Sequence, residues 1–125
     1  MRVHIAADHA GFELREFLIE RLEGAGHEVI DHGAKEYDPM DAYPTMCIPA
    51  AEAVAKDPES LGIVIGGSGN GEQMAANLVD GVRAALVWNE STAVLAREHN
   101  DANVISIGAR QHTMEEAAHF VKVFL

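Results

Sequence analysis

Short runs of consecutive apolar residues punctuate the chain at Val3 to Ala7, Glu28 to Asp31, Gly62 to Ile65, Ala84 to Trp88 and Val104 to Ile107. Their length, their β-branched content and the turn residues flanking them predict five strands, and their nearly unbroken apolar character predicts a parallel sheet covered on both faces. Between the runs the apolar positions change to helical spacing. Leu14, Phe17, Leu18 and Leu22 recur along a segment from Gly11 to Ala25, with Gly26 as a stop signal. Further helices are predicted over Tyr43 to Lys56, Glu72 to Leu78, Ser91 to Glu98 and Thr113 to Leu125. Strict alternation of strand and helix predicts an α/β, Rossmann-like, three-layer αβα sandwich around a five-stranded parallel sheet. Right-handed crossovers leave few topologies for it, of which the flavodoxin-like order 2-1-3-4-5 is the expectation. No internal repeat or linker interrupts the pattern, so residues 1–125 are read as a single domain.

Composition narrows the choice of partner more than that of fold. Nine basic against twenty acidic side chains leave a formal charge of −11, which repels nucleic acid and anionic membrane surfaces and requires any anionic ligand to be held locally. No apolar run reaches the roughly 20 residues of a membrane span. Cys47 is the sole cysteine, so neither an intrachain disulfide nor a cysteine-based zinc site can form, and a soluble, cytoplasmic protein is expected. The seven histidines show no metal-ligand spacing, and no metal is expected.

In doubly wound folds ligands bind beyond the carboxyl ends of the strands, where the winding reverses, which directs attention to the residues after strands one and three. Strand three runs into Gly66-Gly67-Ser68-Gly69-Asn70-Gly71-Glu72-Gln73, a glycine-rich loop opening a helix, where backbone N–H groups can approach an anion closely. The loop is neither a dinucleotide fingerprint nor a P-loop, because the third glycine and the Gly-Lys-Ser/Thr are missing at the required spacings. A tight strand-to-helix turn is the plain alternative, although such a turn needs only one or two glycines. Glu72 falls in the first helical turn, where the macrodipole favours its ionised form. It is read either as a ready general base or as an ordinary acidic residue stabilising the helix start. After strand one, Asp8 and His9 place a carboxylate and an imidazole at the same crevice, Asp8 with an equally good reading as a helix N-cap. His99-Asn100 at the end of the fourth predicted helix and Arg110 after strand five add polar groups expected at that carboxyl edge, and Arg110 suits bidentate phosphate binding. The plain readings are a helix C-terminal histidine with Asn100 as cap, and a surface charge.

Asp8-His9-Ala10-Gly11, Asp41 to Pro44, Gly66 to Asn77, Gly81-Val82-Arg83-Ala84, His99-Asn100 and Gly108-Ala109-Arg110 together resemble the ribose-5-phosphate isomerase B family, which also contains the galactose-6-phosphate isomerase subunits. The resemblance covers essentially the whole chain. It implies interconversion of ribose 5-phosphate and ribulose 5-phosphate by ring opening, proton removal at C2, a cis-enediolate and reprotonation at C1, without a cofactor. Many members carry a cysteine base just after strand three, where this chain has Gly66. The chain is similar instead to an actinobacterial-type subgroup with a glutamate further along the loop, which maps onto Glu72. Carried over by position, His99 promotes ring opening with Asp8 nearby, and Ser68 hydrogen-bonds the reacting oxygens. Gly67, Gly69, Asn70 and Gly71 line the oxyanion loop, His9 and Arg110 bind phosphate, and Tyr43 and Asn100 contact sugar hydroxyls. The resemblance further implies a homodimer with active sites shared between subunits. Relatives continue into a tail whose arginines clasp phosphate, whereas this sequence ends at Leu125 without one. Arg83 is a cation that could compensate. A six-carbon substrate such as allose or galactose 6-phosphate, a module that binds sugar phosphate without turnover, and a flavodoxin-like signalling domain are the competing readings.

Overall fold

A computed structural model describes residues 1–33 and 43–125, the side chains of residues 43–46 excepted. The elements run β1 (Arg2–Ala7), α1 (Phe12–Gly24), β2 (Glu28–Asp31), α2 (Tyr43–Ala55), β3 (Ser60–Gly66), α3 (Asn70–Ala76), β4 (Ala84–Leu86), α4 (Glu90–Glu98), β5 (Val104–Gly108) and α5 (Met114–Phe124). A single turn of 3-10 helix, His9–Gly11, leads into α1. All pairings in the five-stranded sheet are parallel.

The α/β sandwich expected from the alternation is present, but the strand order is corrected from 2-1-3-4-5 to β2-β1-β3-β5-β4. Apolar content explains the exchange. Every residue of β5 is buried, which suits an interior position between two neighbours, whereas β4 has three residues, two of them only half-buried, and takes the edge. Asn77 blunts that edge by accepting from the Ala84 N–H (2.8 Å) and donating to the Ala84 carbonyl (2.9 Å), as a neighbouring strand would.

Alternate residues of the strands fill two cores. Val3, Ile5, Ile63, Ile65, Ile105 and Ile107 pack with Leu14, Leu18, Leu22, Phe120 and Phe124 on one face. Ala6, Val64, Ala84 and Val104 pack with Cys47, Ala51, Val54 and Ala76 on the other. Burying each large aliphatic side chain stabilises by about 1.5–3 kcal/mol, which makes the sheet a rigid platform for the loops at its ends. Capping boxes start two helices: Asn89 with Thr92 for α4, and Thr113 with Glu116 for α5. Among the described residues no helix is long and apolar enough to cross a membrane.

Candidate active site

The chain winds from β1 outward to β2 and then returns past β1 to β3, so the carboxyl ends of β1 and β3 form the switch point. The Asp8 N–H donates to the Ile65 carbonyl at 3.1 Å, which joins the two strand ends there. Asp8 also caps the 3-10 turn, its Oδ1 accepting from Ala10 (2.9 Å) and Gly11 (3.2 Å), so the capping reading holds.

The glycine loop is moored to the far side of β3. The Gly66 carbonyl accepts from Ala109 N–H (2.7 Å), the Gly67 carbonyl from Arg110 N–H (3.0 Å), and the Gly69 carbonyl from the Ser106 hydroxyl (2.6 Å). Gly69 sits at φ +86, and a Cβ there would come within 2.8 Å of Leu86 and 3.1 Å of the Gly108 nitrogen, so glycine is required both conformationally and sterically. Ser68 and Asn70 are exposed, and the Asn70 N–H donates to Ser68 Oγ at 3.2 Å. Together with Leu86, Val87, Trp88, Gly108, Gln111 and His112 they line a groove of about 480 Å³.

Glu72 projects from the first turn of α3 back toward the sheet and is only 4 % exposed. Its carboxylate occupies the space that a Cβ on Gly66 would need, so the missing side chain at the end of β3 makes room for the acid. The macrodipole does not govern its ionisation. Burial first, and the negative charge of Asp8 second, raise the Glu72 pKa above the ordinary 4.5, against a lowering contribution from the Glu72 backbone N–H. A helix of seven residues offers a dipole effect of only about 0.3–1 kcal/mol, too little to offset removal of a carboxylate from water. Cys47, 1 % exposed on α2, shares this environment: burial, with the charges of Glu72 and Asp8, pushes its thiol up to about 11. This neutral thiol next to the acid was not anticipated from sequence, since only its fold position reveals it.

His9 and Arg110, from the ends of different strands, meet in a second pocket of about 360 Å³ that also includes Ala10 and Glu13. Arg110 lies over Gly67, where a Cβ would stand 3.2 Å from its Nη1. Asp8, His9, Ser68, Glu72 and Arg110, with the loop residues Gly67, Gly69, Asn70 and Gly71, are therefore gathered on one edge of the sheet. Tyr43 opens α2, but its side chain lies outside the described residues, as does Asp41 entirely.

His99 and Asn100 do not join them. Helix α4 leaves the carboxyl end of β4 and runs back, so these two residues lie at the amino edge of the sheet, a correction to their expected place. There Arg83 Nε donates to the Asn100 carbonyl at 2.7 Å, just before β4 begins, and the Asn100 N–H and Nδ2 both turn back to the Leu95 carbonyl, at 3.2 and 3.3 Å. The arginine read as a candidate phosphate cation thus stands at the edge opposite the glycine loop, with its Nε committed to this turn. Periodicity located the helix correctly; the error lay in its direction, because a crossover helix in a parallel sheet must end at the edge where the next strand starts.

The fold and this edge define an α/β protein with a buried carboxylate and an arginine-histidine pocket flanking one glycine loop at the switch crevice. The chain belongs to the ribose/galactose isomerase family, whose model matches residues 3–125. It is 58% identical over 125 residues to ribose-5-phosphate isomerase B of Mycobacterium tuberculosis (strain ATCC 25618 / H37Rv), covering 100% of this chain and 77% of that protein. It is 45% identical over 123 residues to a probable ribose-5-phosphate isomerase B of Mycoplasma pneumoniae, covering 98% and 81%. Among solved structures, the Mycoplasma genitalium ribose-5-phosphate isomerase B with bound ribulose-5-phosphate superposes with a TM-score of 0.95 at 41% identity, over 98% of this chain and 82% of that one.

Proposed function

We propose that this chain is an aldose-ketose isomerase that interconverts ribose 5-phosphate and ribulose 5-phosphate, with Glu72 as the base. The observation carrying the assignment of the base is the overlap of the Glu72 carboxylate with the space in front of Gly66. Family members that use a cysteine hold it at the end of strand three, and here the carboxylate of α3 fills that location. A base near neutrality transfers protons best at physiological pH, and the upward shift from burial and Asp8 moves Glu72 in that direction.

The substrate phosphate is anchored between His9 and Arg110, which sets the open-chain sugar across the glycine loop. Glu72 takes the proton from C2, the electron pair enters the C1–C2 bond, and the carbonyl oxygen on C1 becomes an enediolate oxygen. Ser68 and the backbone amides of Gly69 and Gly71 hold the developing charge. Return of the proton to C1, with transfer of the O2 hydroxyl proton to O1, leaves the carbonyl at C2. Ring opening by His99, with Asn100 on the sugar, requires a second copy of the chain, since within one copy they stand at the opposite edge. The working unit is therefore a homodimer with shared sites, in keeping with a cytoplasmic metabolic enzyme.

The test is ketose formation from ribose 5-phosphate, with galactose 6-phosphate in parallel, followed by mixing two inactive variants, Glu72→Gln and His99→Asn. Mixed dimers contain one intact site, so refolding the variants together restores activity that neither has alone. Turnover of galactose 6-phosphate in preference to ribose 5-phosphate would reassign the substrate, and failure of the mixture would place His99 outside the shared site.

A further inference from the structure

Ser106 is a polar interruption in the apolar strand β5, 0 % exposed, and plays no part in the mechanism above. An apolar residue of similar size would bury there without the desolvation cost of a hydroxyl. Its hydroxyl instead reaches across to the glycine loop and donates to the Gly69 carbonyl at 2.6 Å, the shorter end of the hydroxyl-to-oxygen range. That carbonyl and the Asn70 N–H belong to one planar peptide unit, so fixing one end aims the other in the opposite direction. The Asn70 N–H points at Ser68 Oγ, 3.2 Å away. With its oxygen accepting from Asn70, the Ser68 hydroxyl has its own proton directed elsewhere, and Ser68 is exposed on the groove side of the loop.

We infer that Ser106 is a positioning residue for the isomerisation, acting through the Gly69–Asn70 peptide to hold Ser68 as a hydrogen-bond donor toward the enediolate oxygens. The inference rests on the isomerase reading. The chain of donors is continuous: Ser106 hydroxyl to Gly69 carbonyl, Asn70 N–H to Ser68 oxygen, Ser68 hydroxyl to substrate. Each bond polarises the next, and a link lost at the buried end weakens donation at the exposed end. The Gly69 carbonyl does not need Ser106 for its own sake, because it also accepts from the Gln73 N–H at 3.0 Å, the first bond of α3. Removal of the hydroxyl therefore leaves no orphaned acceptor. What it removes is the shorter of the two bonds that hold the peptide plane.

The experiment is a double-mutant cycle of Ser106→Ala and Ser68→Ala, with Ser106→Thr as the conservative variant. Ser106→Ala lowers kcat about fivefold to tenfold with KM little changed, the size of one hydrogen bond lost in the transition state. Ser106→Thr retains the hydroxyl and recovers most of that rate. In the Ser68→Ala background, Ser106→Ala changes kcat less than about twofold, since the group it acts through is gone. Equal fold-losses in both backgrounds, or a wild-type kcat for Ser106→Ala, would overturn the inference. A readout independent of turnover is hydrogen exchange at the Asn70 amide, which accelerates in Ser106→Ala while the β5 amides stay protected; an unchanged Asn70 rate overturns the inference as well. If wild type does not isomerise the sugar but Asn70 exchange responds, the failure belongs to the isomerase reading and the relay stands.

Discussion

Replacing Glu72 by glutamine separates what the buried acid contributes to chemistry from what it costs the fold. Glutamine keeps the shape that fits in front of Gly66 but cannot accept the C2 proton, and general bases contribute about 10² to 10⁴ in rate. Stability moves the other way. The native carboxyl pKa lies above its ordinary 4.5, so between these values the folded state binds more protons than the unfolded one, and wild-type stability declines as pH rises through that window. That decline is the cost of keeping an ionised carboxylate out of water in the native state. A neutral amide in the same place escapes this cost, so Glu72→Gln is expected to melt at a higher urea concentration than wild type at pH 8, with the gap closing as pH falls toward 4.5. The assays are ketose formation and urea melts from pH 4.5 to pH 8. A variant keeping more than about a tenth of wild-type turnover would refute the assignment of the base. A stability difference that does not vary with pH would refute the claim that burial destabilises the ionised carboxylate.

Three further outcomes follow from neighbouring residues. Gly66→Ala puts a methyl group into the Glu72 carboxylate, so it is expected to lower kcat by at least tenfold while circular dichroism stays native; unchanged turnover shows that the acid has another resting place. Burial first, then the nearby His4 ring with its nitrogen 2.9 Å away, depress the His32 pKa below 6.5. The unfolded chain therefore takes up that proton first, and stability falls as pH drops below about 6.5. In His32→Asn that part of the slope disappears, and identical slopes in urea melts from pH 7 to pH 5 contradict it. Cys47, with its thiol pushed up to about 11, is expected to resist iodoacetamide at pH 7.5 in the native protein and to react fully in urea, as mass spectrometry reads directly.

Most of the architecture was legible because strand and helix each write their own period into the chain. Val3 to Ala7 and Leu14 to Leu22 needed no tertiary information to be assigned. The order of β4 and β5 was not legible, since both are short and apolar, and the decision rests on which is better buried on both faces. At the site, the glycine loop, Asp8, His9 and Arg110 were found at the expected edge because a parallel sheet places every strand's carboxyl end there. The upward pull on the Glu72 pKa was not legible from the helix alone, because it comes from burial in front of Gly66 and from Asp8, which adjacency in sequence does not reveal. Ser106 carried a faint signal, a lone hydroxyl in an otherwise apolar strand, but its partner lies 37 residues away.

The mutual exclusion between a side chain on residue 66 and the carboxylate of residue 72 also constrains how such a protein can change over generations. On the proposed assignment of the base, a lineage moving it from the strand end to the helix must vacate position 66 and acquire the acid at 72, and each change alone leaves the catalyst either without a base or with two groups in one space. On that assignment the two arrangements are joined only through an intermediate with impaired catalysis. Position 66 should be free to vary only in descendants that have already surrendered the acid.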